Sequence, residues 1–249
     1  MGIKTILSAV VAGSLVASTA FGAVPAPASA SAVLAKMRSH YPEVTFQSAH
    51  QSEIRGLYEV KTDDATVYVD QEARYGVFGK LIDLVTGQSP SEQREVQQRK
   101  SMLLAADLSH AIKVVHGNGA RTLYLFSDPD CPYCHRLEES LAKVENVTIY
   151  TFVYPLTQLH PQAVEHATQI WCSPDRVKAW DQWMSGTPLG AAPACATPIE
   201  ANLQFGAKLG IRGTPTLLTA DGRQLSGFST PERIEAFLKA PAAATQADR

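Results

Sequence analysis

The sequence has few cysteines, no strong charge of either sign and no long basic block. It contains 249 residues, four of them cysteine, and its formal net charge is −2. Binding to nucleic acid relies on clustered Lys and Arg that displace counterions, so we expect no nucleic-acid partner. Four cysteines are too few for a small disulfide-rich scaffold, but they suffice for one reactive pair and one structural pair. The length predicts one or two domains, at about 150 residues each.

The N-terminus has the order of a secretory signal peptide, assigned to residues 1–30. Lys4 is followed by an apolar stretch from Ile6 to Ala17 and then by small residues, with cleavage expected between residues 20 and 30. A membrane anchor is the alternative, but the apolar run is shorter than the ~20 residues that span a bilayer. No second long apolar run follows, so the mature protein is expected to be soluble, in an oxidising compartment where cysteine pairs can form disulfides.

Residues 32–88 form the first part of the mature chain. A short helix is predicted from Val33 to Tyr41, where apolar residues recur at helical spacing. Strand-like segments separated by polar turns follow at 44–46, 57–60, 66–69 and 75–84. A unit of this size cannot build a large core alone, and a small sheet with open edges often pairs with a second copy. We therefore expect a dimerisation domain and a homodimer.

A polar segment at 89–110 follows. Residues 91–100 are nearly all polar and lack Gly and Pro, and Glu95 and Arg99 stand four residues apart in the favourable order for a helical ion pair. This pattern favours a solvated linker helix, and a disordered linker is the alternative.

Residues 111–240 carry the pattern of a second domain, and the tail at 241–249 is expected to be disordered. Segments 112–115 and 122–126 flank Gly117-Asn118-Gly119 and predict a hairpin. The later predicted elements are, in order, a helix after residue 134, a strand at 147–153, a mostly helical stretch at 160–209, a strand at 214–219 and a closing helix at 231–239. The histidines show no metal-ligand spacing, and the tryptophans are interpreted as core packing.

The motif Cys131-Pro132-Tyr133-Cys134 stands between a predicted strand and a predicted helix. The first sulfur falls at the helix N-terminus, where free N–H groups and the helix dipole favour an exposed thiolate. The second falls one turn further on, shielded and positioned to attack a mixed disulfide. The motif therefore indicates thiol–disulfide exchange, with Cys131 as nucleophile and Cys134 as resolving cysteine. Pro132 and Tyr133 border the reactive sulfur and are candidate substrate contacts.

Three other interpretations of the motif are less favoured. A zinc site needs four ligands, and the other two cysteines, Cys172 and Cys195, lack the paired spacing. A purely structural disulfide in so tight a loop removes little chain entropy. With His135 the motif also matches the attachment pattern of c-type haem, for which Met102 or Met184 would have to be the axial ligand. We expect no metal and no cofactor.

A second signal is Gly213-Thr214-Pro215-Thr216, which precedes an apolar strand about eighty residues after the cysteine motif. Alone, the tetrapeptide favours an ordinary trans proline. Beside the cysteine motif it favours a cis bond, which would leave a backbone edge where an extended substrate can pair as a strand. Thr214 and Pro215 are therefore candidate substrate-binding residues.

Segments 126–135 and 210–216 together resemble the periplasmic thiol:disulfide interchange proteins of the DsbC and DsbG type. The resemblance covers essentially the whole mature chain, and 67–84 resembles the sheet of their dimerisation domain. It implies a thioredoxin fold with a helical insertion, preceded by a small N-terminal α+β dimerisation domain and a helical linker. It also implies a periplasmic V-shaped homodimer with isomerase and chaperone activity on mis-bridged secreted proteins. A membrane reductase of the DsbD type would supply its electrons.

The same resemblance implies a structural disulfide between Cys172 and Cys195, which we expect to be buried and inert. Two features depart from the DsbC pattern: Pro132 follows the first cysteine, as in the DsbG type, and Asp130 places a negative charge beside the thiolate, which disfavours it. Thr214 matches the isomerases, because dedicated oxidases of the DsbA type usually carry Val there. The alternatives are a dithiol oxidase of the DsbA type and a chaperone-like binding module with a secondary redox role.

Overall fold

The computed structural model describes residues 28–63 and 65–240. The core of the predicted signal peptide and the predicted tail at 241–249 lie outside these residues. The chain divides into two compact units, Met1–Gly79 and Lys80–Arg249. Among the described residues, no helix combines the length and the apolar character needed to cross a membrane.

The N-terminal unit packs a helix against an antiparallel sheet. Its elements are α1 (Ala30–His40), β1 (Phe46–Gln51), β2 (Leu57–Thr62), β3 (Thr66–Asp70) and β4 (Gly76–Phe78). Within the described range the strands lie in the order β1-β2-β3-β4, and each neighbouring pair is antiparallel. The buried Val33 and Met37 of α1 pack in one cluster with Tyr58, Val60 and Val69 of the sheet.

Two strands in this unit, β1 and β4, differ most from the prediction; β2 and β3 extend one or two residues beyond it. β1 begins at Phe46, after a turn that leaves Val44 exposed, and continues to Gln51 through mostly polar residues. β4 covers only Gly76–Phe78 of the predicted segment 75–84. Polar β1 has no alternation of hydrophobic residues, so its pairing with β2 rather than its own composition makes it a strand.

The C-terminal unit is a mixed sheet with helices. Its elements are α2 (Pro90–Leu104), a short 3-10 turn (Leu108–His110), β5 (Ile112–His116), β6 (Arg121–Ser127), α3 (Pro132–Leu141), β7 (Val147–Val153), α4 (Ala163–Cys172), α5 (Arg176–Met184), α6 (Ile199–Lys208), β8 (Thr216–Thr219), β9 (Gln224–Ser226) and α7 (Pro231–Lys239). In the described residues the strand order is β5-β7-β6-β8-β9. The helices α4, α5 and α6 lie between β7 and β8 in sequence, which is the predicted helical insertion.

The hairpin predicted from 112–115 and 122–126 is wrong. Both strands form, as β5 and β6, but β7 lies between them in the sheet. β5 pairs antiparallel with β7, and β6 pairs parallel with β7. The turn at Gly117 and Gly119 does reverse the chain, with positive φ at both glycines. A turn of this kind predicts that the chain reverses, but not which strands pair. β7 pairs with β6 because α3 connects the two strands as a crossover helix, which makes them parallel neighbours.

The predicted linker helix forms as α2, but it is not fully solvated. Leu103 is buried in a cluster with the sheet residues Tyr124 and Phe126. Arg99 Nε donates a hydrogen bond to the Gly222 carbonyl oxygen at 2.8 Å. Gly222 has φ of 90°, and a Cβ there would lie 2.1 Å from the carbonyl oxygen of Val96. The turn between β8 and β9 therefore packs against the backbone of α2 at Gly222, a position that only glycine can occupy.

Candidate active site

The two cysteines of the motif lie where β6 ends and α3 begins. Cys131 is the N-cap residue, and Pro132 is the first residue of α3. Proline suits this position because its fixed φ matches the helix and its missing N–H is not needed there. The Cys134 N–H donates to the Cys131 carbonyl oxygen at 2.9 Å, so the two residues span one helical turn. Both thiols are free.

Both cysteines are buried, so the prediction of an exposed Cys131 is wrong. Cys131 is 5% exposed and Cys134 is 1% exposed. The loop before β8 covers the first sulfur, because Cys131 Sγ lies 3.6 Å from the Thr214 carbonyl oxygen. This neighbour lies 83 residues further along the chain, which local sequence patterns do not report. Pro132 and Tyr133, beside Cys131, are exposed.

The two sulfurs have opposite electrostatic environments. The pKa of Cys131 is lowered to about 5, and the hydrogen bond from the Cys134 thiol has the largest effect on it. The N–H groups of Cys134 and Tyr133 and the Thr214 side chain also lower it, whereas burial opposes the shift. Burial, together with the adjacent Cys131, raises the pKa of Cys134. Cys131 is therefore a thiolate at neutral pH and Cys134 a thiol, which is the asymmetry that thiol–disulfide exchange requires.

We expect the alkylation rate of Cys131 to rise with pH and to reach half its plateau near pH 5, because the thiolate is the reactive form. An unperturbed cysteine reaches that point at about pH 8.5. Cys134→Ala removes the strongest donor to Cys131, so its midpoint should move to higher pH. Iodoacetamide labelling at a series of pH values, read by mass spectrometry of the peptide, measures both. A wild-type midpoint near pH 8.5 would contradict the environment described.

The peptide bond between Thr214 and Pro215 is cis, which confirms the prediction made from the two motifs together. Pro215 directly precedes β8, and its carbonyl oxygen accepts a hydrogen bond from the Gly227 N–H at 2.8 Å. β8 pairs antiparallel with β6, with Thr216 opposite Phe126. This pairing holds the proline loop beside the end of β6 and so beside Cys131.

Asp130, the acidic residue next to Cys131, is engaged by the helical insertion. His166 Nδ1, from α4, lies 2.8 and 2.9 Å from the two carboxylate oxygens of Asp130. The His166 ring packs on Trp183 of α5 with 4.2 Å between centroids, and Trp183 Nε1 donates to the Pro129 carbonyl oxygen at 2.8 Å. The acidic group that departs from the DsbC pattern therefore has a dedicated imidazole partner.

Asp128 is completely buried and organises the loop between β6 and α3. One carboxylate oxygen accepts from the Asp130 N–H at 2.9 Å, and the other lies 2.7 Å from the Leu156 amide nitrogen and 2.9 Å from His160 Nδ1. The hydrogen bond with Asp128 raises the pKa of His160, and the nearby charges of Asp128 and Cys131 act in the same direction. These contacts favour the protonated form of His160, which places positive charge near the Cys131 thiolate.

Sequence reasoning missed the residues that hold this loop. His160 and His166 have no metal-ligand spacing, and Trp183 is interpreted from the sequence as packing, yet all three bond to the loop from 32 to 54 residues away. The sequence feature that could have indicated them is the pair Asp128 and Asp130 just before the motif. Carboxylates near a buried site need hydrogen-bond donors or positive charges as partners.

Glu138 lies one turn beyond Cys134 on α3. Burial raises its pKa to about 7, although the Trp180 indole, which donates to Glu138 Oε1 at 2.8 Å, lowers it. The two residues, with Asp181 and His135, line a pocket of about 620 Å³. The hydrogen bond between Trp180 and Glu138 joins α5 to α3 and so stabilises the helix that carries the cysteines.

Cys172 and Cys195 form a disulfide in the helical insertion. Cys172 ends α4 and is 8% exposed. Cys195 is exposed, in a segment without regular structure between α5 and α6, so the expectation of a buried bridge is wrong at this end. Because the two sulfurs are bonded to each other, they are not available as zinc ligands.

Replacing both Cys172 and Cys195 with alanine should lower the free energy of unfolding by about 3 kcal/mol, because the bridge closes a loop across 23 residues. Denaturant titration of the double variant measures the loss. The alkylation rate of Cys131 serves as the control and should not change. A loss below about 1 kcal/mol would show that the bridge stabilises less than the chain-entropy model requires.

Thioredoxin-like thiol–disulfide oxidoreductases are the class that this fold and this cysteine pair define. Residues 108–242 match the family model of a thioredoxin-like domain, and residues 24–92 match that of the disulfide bond isomerase protein N-terminal domain. The chain belongs to the DsbC family of thiol:disulfide interchange proteins, since both of its family domains are present in order.

Individual relatives agree with this assignment. The chain is 33% identical over 183 residues to a probable thiol:disulfide interchange protein DsbC of Bordetella parapertussis, covering 74% of this chain and 65% of that protein. It is 27% identical over 190 residues to DsbC of Escherichia coli, covering 74% and 78%. Its solved neighbours include a disulfide interchange protein from Neisseria gonorrhoeae, at 43% identity and a TM-score of 0.51, covering 53% of this chain and 96% of the other. The chain thus spans less than two thirds of the Bordetella protein's length.

Proposed function

We propose that this protein is a periplasmic protein disulfide isomerase and reductase, with Cys131 as nucleophile and Cys134 as resolving cysteine. The observation that carries the proposal is the opposite shift of the two thiols, with the pKa of Cys131 lowered to about 5 and that of Cys134 raised. One sulfur is thereby ready to attack at neutral pH, while the other stays protonated until a mixed disulfide has formed.

The exchange begins when the Cys131 thiolate attacks a substrate disulfide. A bond forms between Cys131 and one substrate sulfur, and the other substrate sulfur leaves as a thiolate. That thiolate can attack another disulfide of its own chain and free a different substrate thiolate. When the new thiolate attacks the substrate sulfur bonded to Cys131, a rearranged substrate disulfide forms and Cys131 leaves as a thiolate. Alternatively Cys134 attacks Cys131, which releases the reduced substrate and leaves the Cys131–Cys134 disulfide. Only the second route consumes electrons, and we propose that a membrane thiol reductase of the DsbD type restores them.

The substrate is proposed to lie as an extended strand beside the cis proline. Thr214 adjoins Cys131 and presents backbone that an added strand can use for hydrogen bonds. Pro215 has no N–H, and its carbonyl oxygen already accepts from Gly227, so it holds the loop in place beside the sulfur. Tyr133, which is 57% exposed, and Pro132 offer apolar contact on the other side of the sulfur. Contacts of this kind depend little on sequence, as expected for an enzyme that acts on mis-bridged secreted proteins and binds unfolded chains as a chaperone.

The N-terminal unit is proposed to form a homodimer through its sheet edge. β4 ends the sheet within the described residues and exposes Val77 by 62% and Phe78 by 76%. An exposed apolar edge strand favours pairing with another strand. The matched disulfide bond isomerase N-terminal domain supports the same assembly.

Reactivation of ribonuclease with scrambled disulfides tests the isomerase proposal. The reduced protein should restore ribonuclease activity without added oxidant, and Cys131→Ser should not. An oxidase of the DsbA type would instead be isolated with the Cys131–Cys134 pair oxidised, which alkylation of rapidly trapped cells reports. A chaperone whose redox role is secondary would keep its main activity, the suppression of aggregation, in Cys131→Ala and show little reactivation in either form.

A further inference from the structure

A buried hydroxyl group lies near the resolving cysteine, one residue before Asp128, whose carbonyl oxygen accepts a hydrogen bond from the Cys131 N–H at 3.2 Å. Ser127 is the last residue of β6 and is 1% exposed. Its Oγ has no hydrogen-bond partner of standard geometry in the described part of the chain. Burial raises the pKa of Cys134, and the Ser127 hydroxyl, within reach of its sulfur, lowers it together with the Asp128 N–H. A buried hydroxyl without a hydrogen-bond partner lowers the free energy of unfolding. Its position near a reacting sulfur therefore suggests a functional role.

The carboxylate of Asp128, the residue after Ser127, is not free to take this role. Both oxygens of Asp128 are already engaged, one by the Asp130 N–H and the other by the Leu156 N–H and His160. Asp128 interacts with Cys134 through its backbone N–H and not through its carboxylate. Ser127 is therefore the side chain, apart from Cys131, that offers the Cys134 sulfur a hydrogen bond with no competing partner among the described residues.

We propose that Ser127 is a catalytic residue of the resolving step, in which its hydroxyl donates a hydrogen bond to the Cys134 sulfur as that sulfur becomes a thiolate and attacks Cys131. The Cys131–Cys134 bond forms and the bond between Cys131 and the substrate sulfur breaks. The departing substrate thiolate takes the bonding electron pair and is protonated, in balance with the proton that Cys134 gives up. The cysteine pair is oxidised by two electrons, and the substrate disulfide is reduced by two.

This role makes Ser127 a determinant of the product. Resolution by Cys134 competes with rearrangement of the substrate, so a slower resolving step prolongs the mixed disulfide and favours isomerisation over reduction. The inference rests on the proposed thiol–disulfide exchange and adds the residue that sets its partition.

Mixing the reduced full-length mature protein with an aromatic disulfide that releases a yellow thiolate separates the two steps. Attack by Cys131 releases the first equivalent, and attack by Cys134 releases the second. In Ser127→Ala the first release should keep its wild-type rate, whereas the second should slow about tenfold, equivalent to about 1.4 kcal/mol. The pH midpoint of the second release should also rise, while that of the first should stay in place.

Three further variants separate hydrogen bonding from packing. Ser127→Thr and Ser127→Val have the same shape and differ by the hydroxyl, so Thr should resolve faster than Val even if Ala proves unstable. Ser229→Ala removes another buried, unpartnered hydroxyl and should leave both releases unchanged.

A second release in Ser127→Ala as fast as in wild type, or equal rates for Thr and Val, would overturn the role of Ser127. Absence of the first release from the wild-type protein would instead refute the proposed function, so the two failures are distinguishable.

Discussion

Cys134→Ser should accumulate covalent complexes with substrate proteins, and Cys131→Ser should lose thiol–disulfide exchange altogether. The first variant keeps the Cys131 nucleophile, but it cannot form the Cys131–Cys134 bond that releases a trapped substrate. The second variant lacks the sulfur whose pKa is lowered to about 5. The remaining Cys134 is 1% exposed and has a raised pKa. A substrate disulfide therefore cannot reach its sulfur, which also stays protonated at neutral pH.

Incubation of both variants with scrambled ribonuclease, followed by a non-reducing gel, shows the difference directly. Adducts should appear with Cys134→Ser and disappear when a reducing agent is added. The double variant of Cys131 and Cys134 to serine is the control and should give none. Adducts with Cys131→Ser but not with Cys134→Ser would reverse the assignment of the two sulfurs.

Removal of the N-terminal unit, through Gly79, should leave a folded monomer with a reactive Cys131 and an isomerase rate at least about tenfold lower. The loss is expected because two linked sites hold one substrate at high effective concentration. α2 should be retained, since Arg99 and Leu103 pack within the C-terminal unit. Light scattering gives the mass, and scrambled ribonuclease gives the rate.

Two point variants test the same assembly without a deletion. Val77→Glu places a charge on the exposed edge strand β4 and should shift the protein to a monomer. Val115→Glu places the same charge on β5, where Val115 is 50% exposed, and should leave the mass unchanged. A wild-type protein that is monomeric at micromolar concentration would refute the homodimer.

The chemistry could be predicted from the sequence because its signals are local. Four adjacent residues from Cys131 to Cys134 define the reactive turn, and Thr214 and Pro215 become meaningful once that turn is identified. The order of strands and helices in this domain follows from local patterns, whereas the thioredoxin fold with its helical insertion is implied by the resemblance to the DsbC and DsbG type. These inferences need no knowledge of which distant segments meet.

The remaining features depend on contacts between distant segments. Gly117 and Gly119 mark a reversal, but they do not show that β7 enters between β5 and β6. The burial of Cys131 comes from a loop 83 residues away. The partners of Asp128 and Asp130 likewise lie on the insertion, so the local sequence shows the acids without the histidines that engage them.

The reduction potential of the Cys131–Cys134 pair tests the central claim most directly. Equilibration of the protein with glutathione buffers, followed by alkylation and mass analysis, gives the value. The pair should behave as a two-electron couple with a potential above the value of about −270 mV typical of thioredoxin, because a stabilised Cys131 thiolate favours the reduced form. A pair that does not equilibrate with glutathione, or that has a potential below about −300 mV as structural disulfides do, would contradict the account.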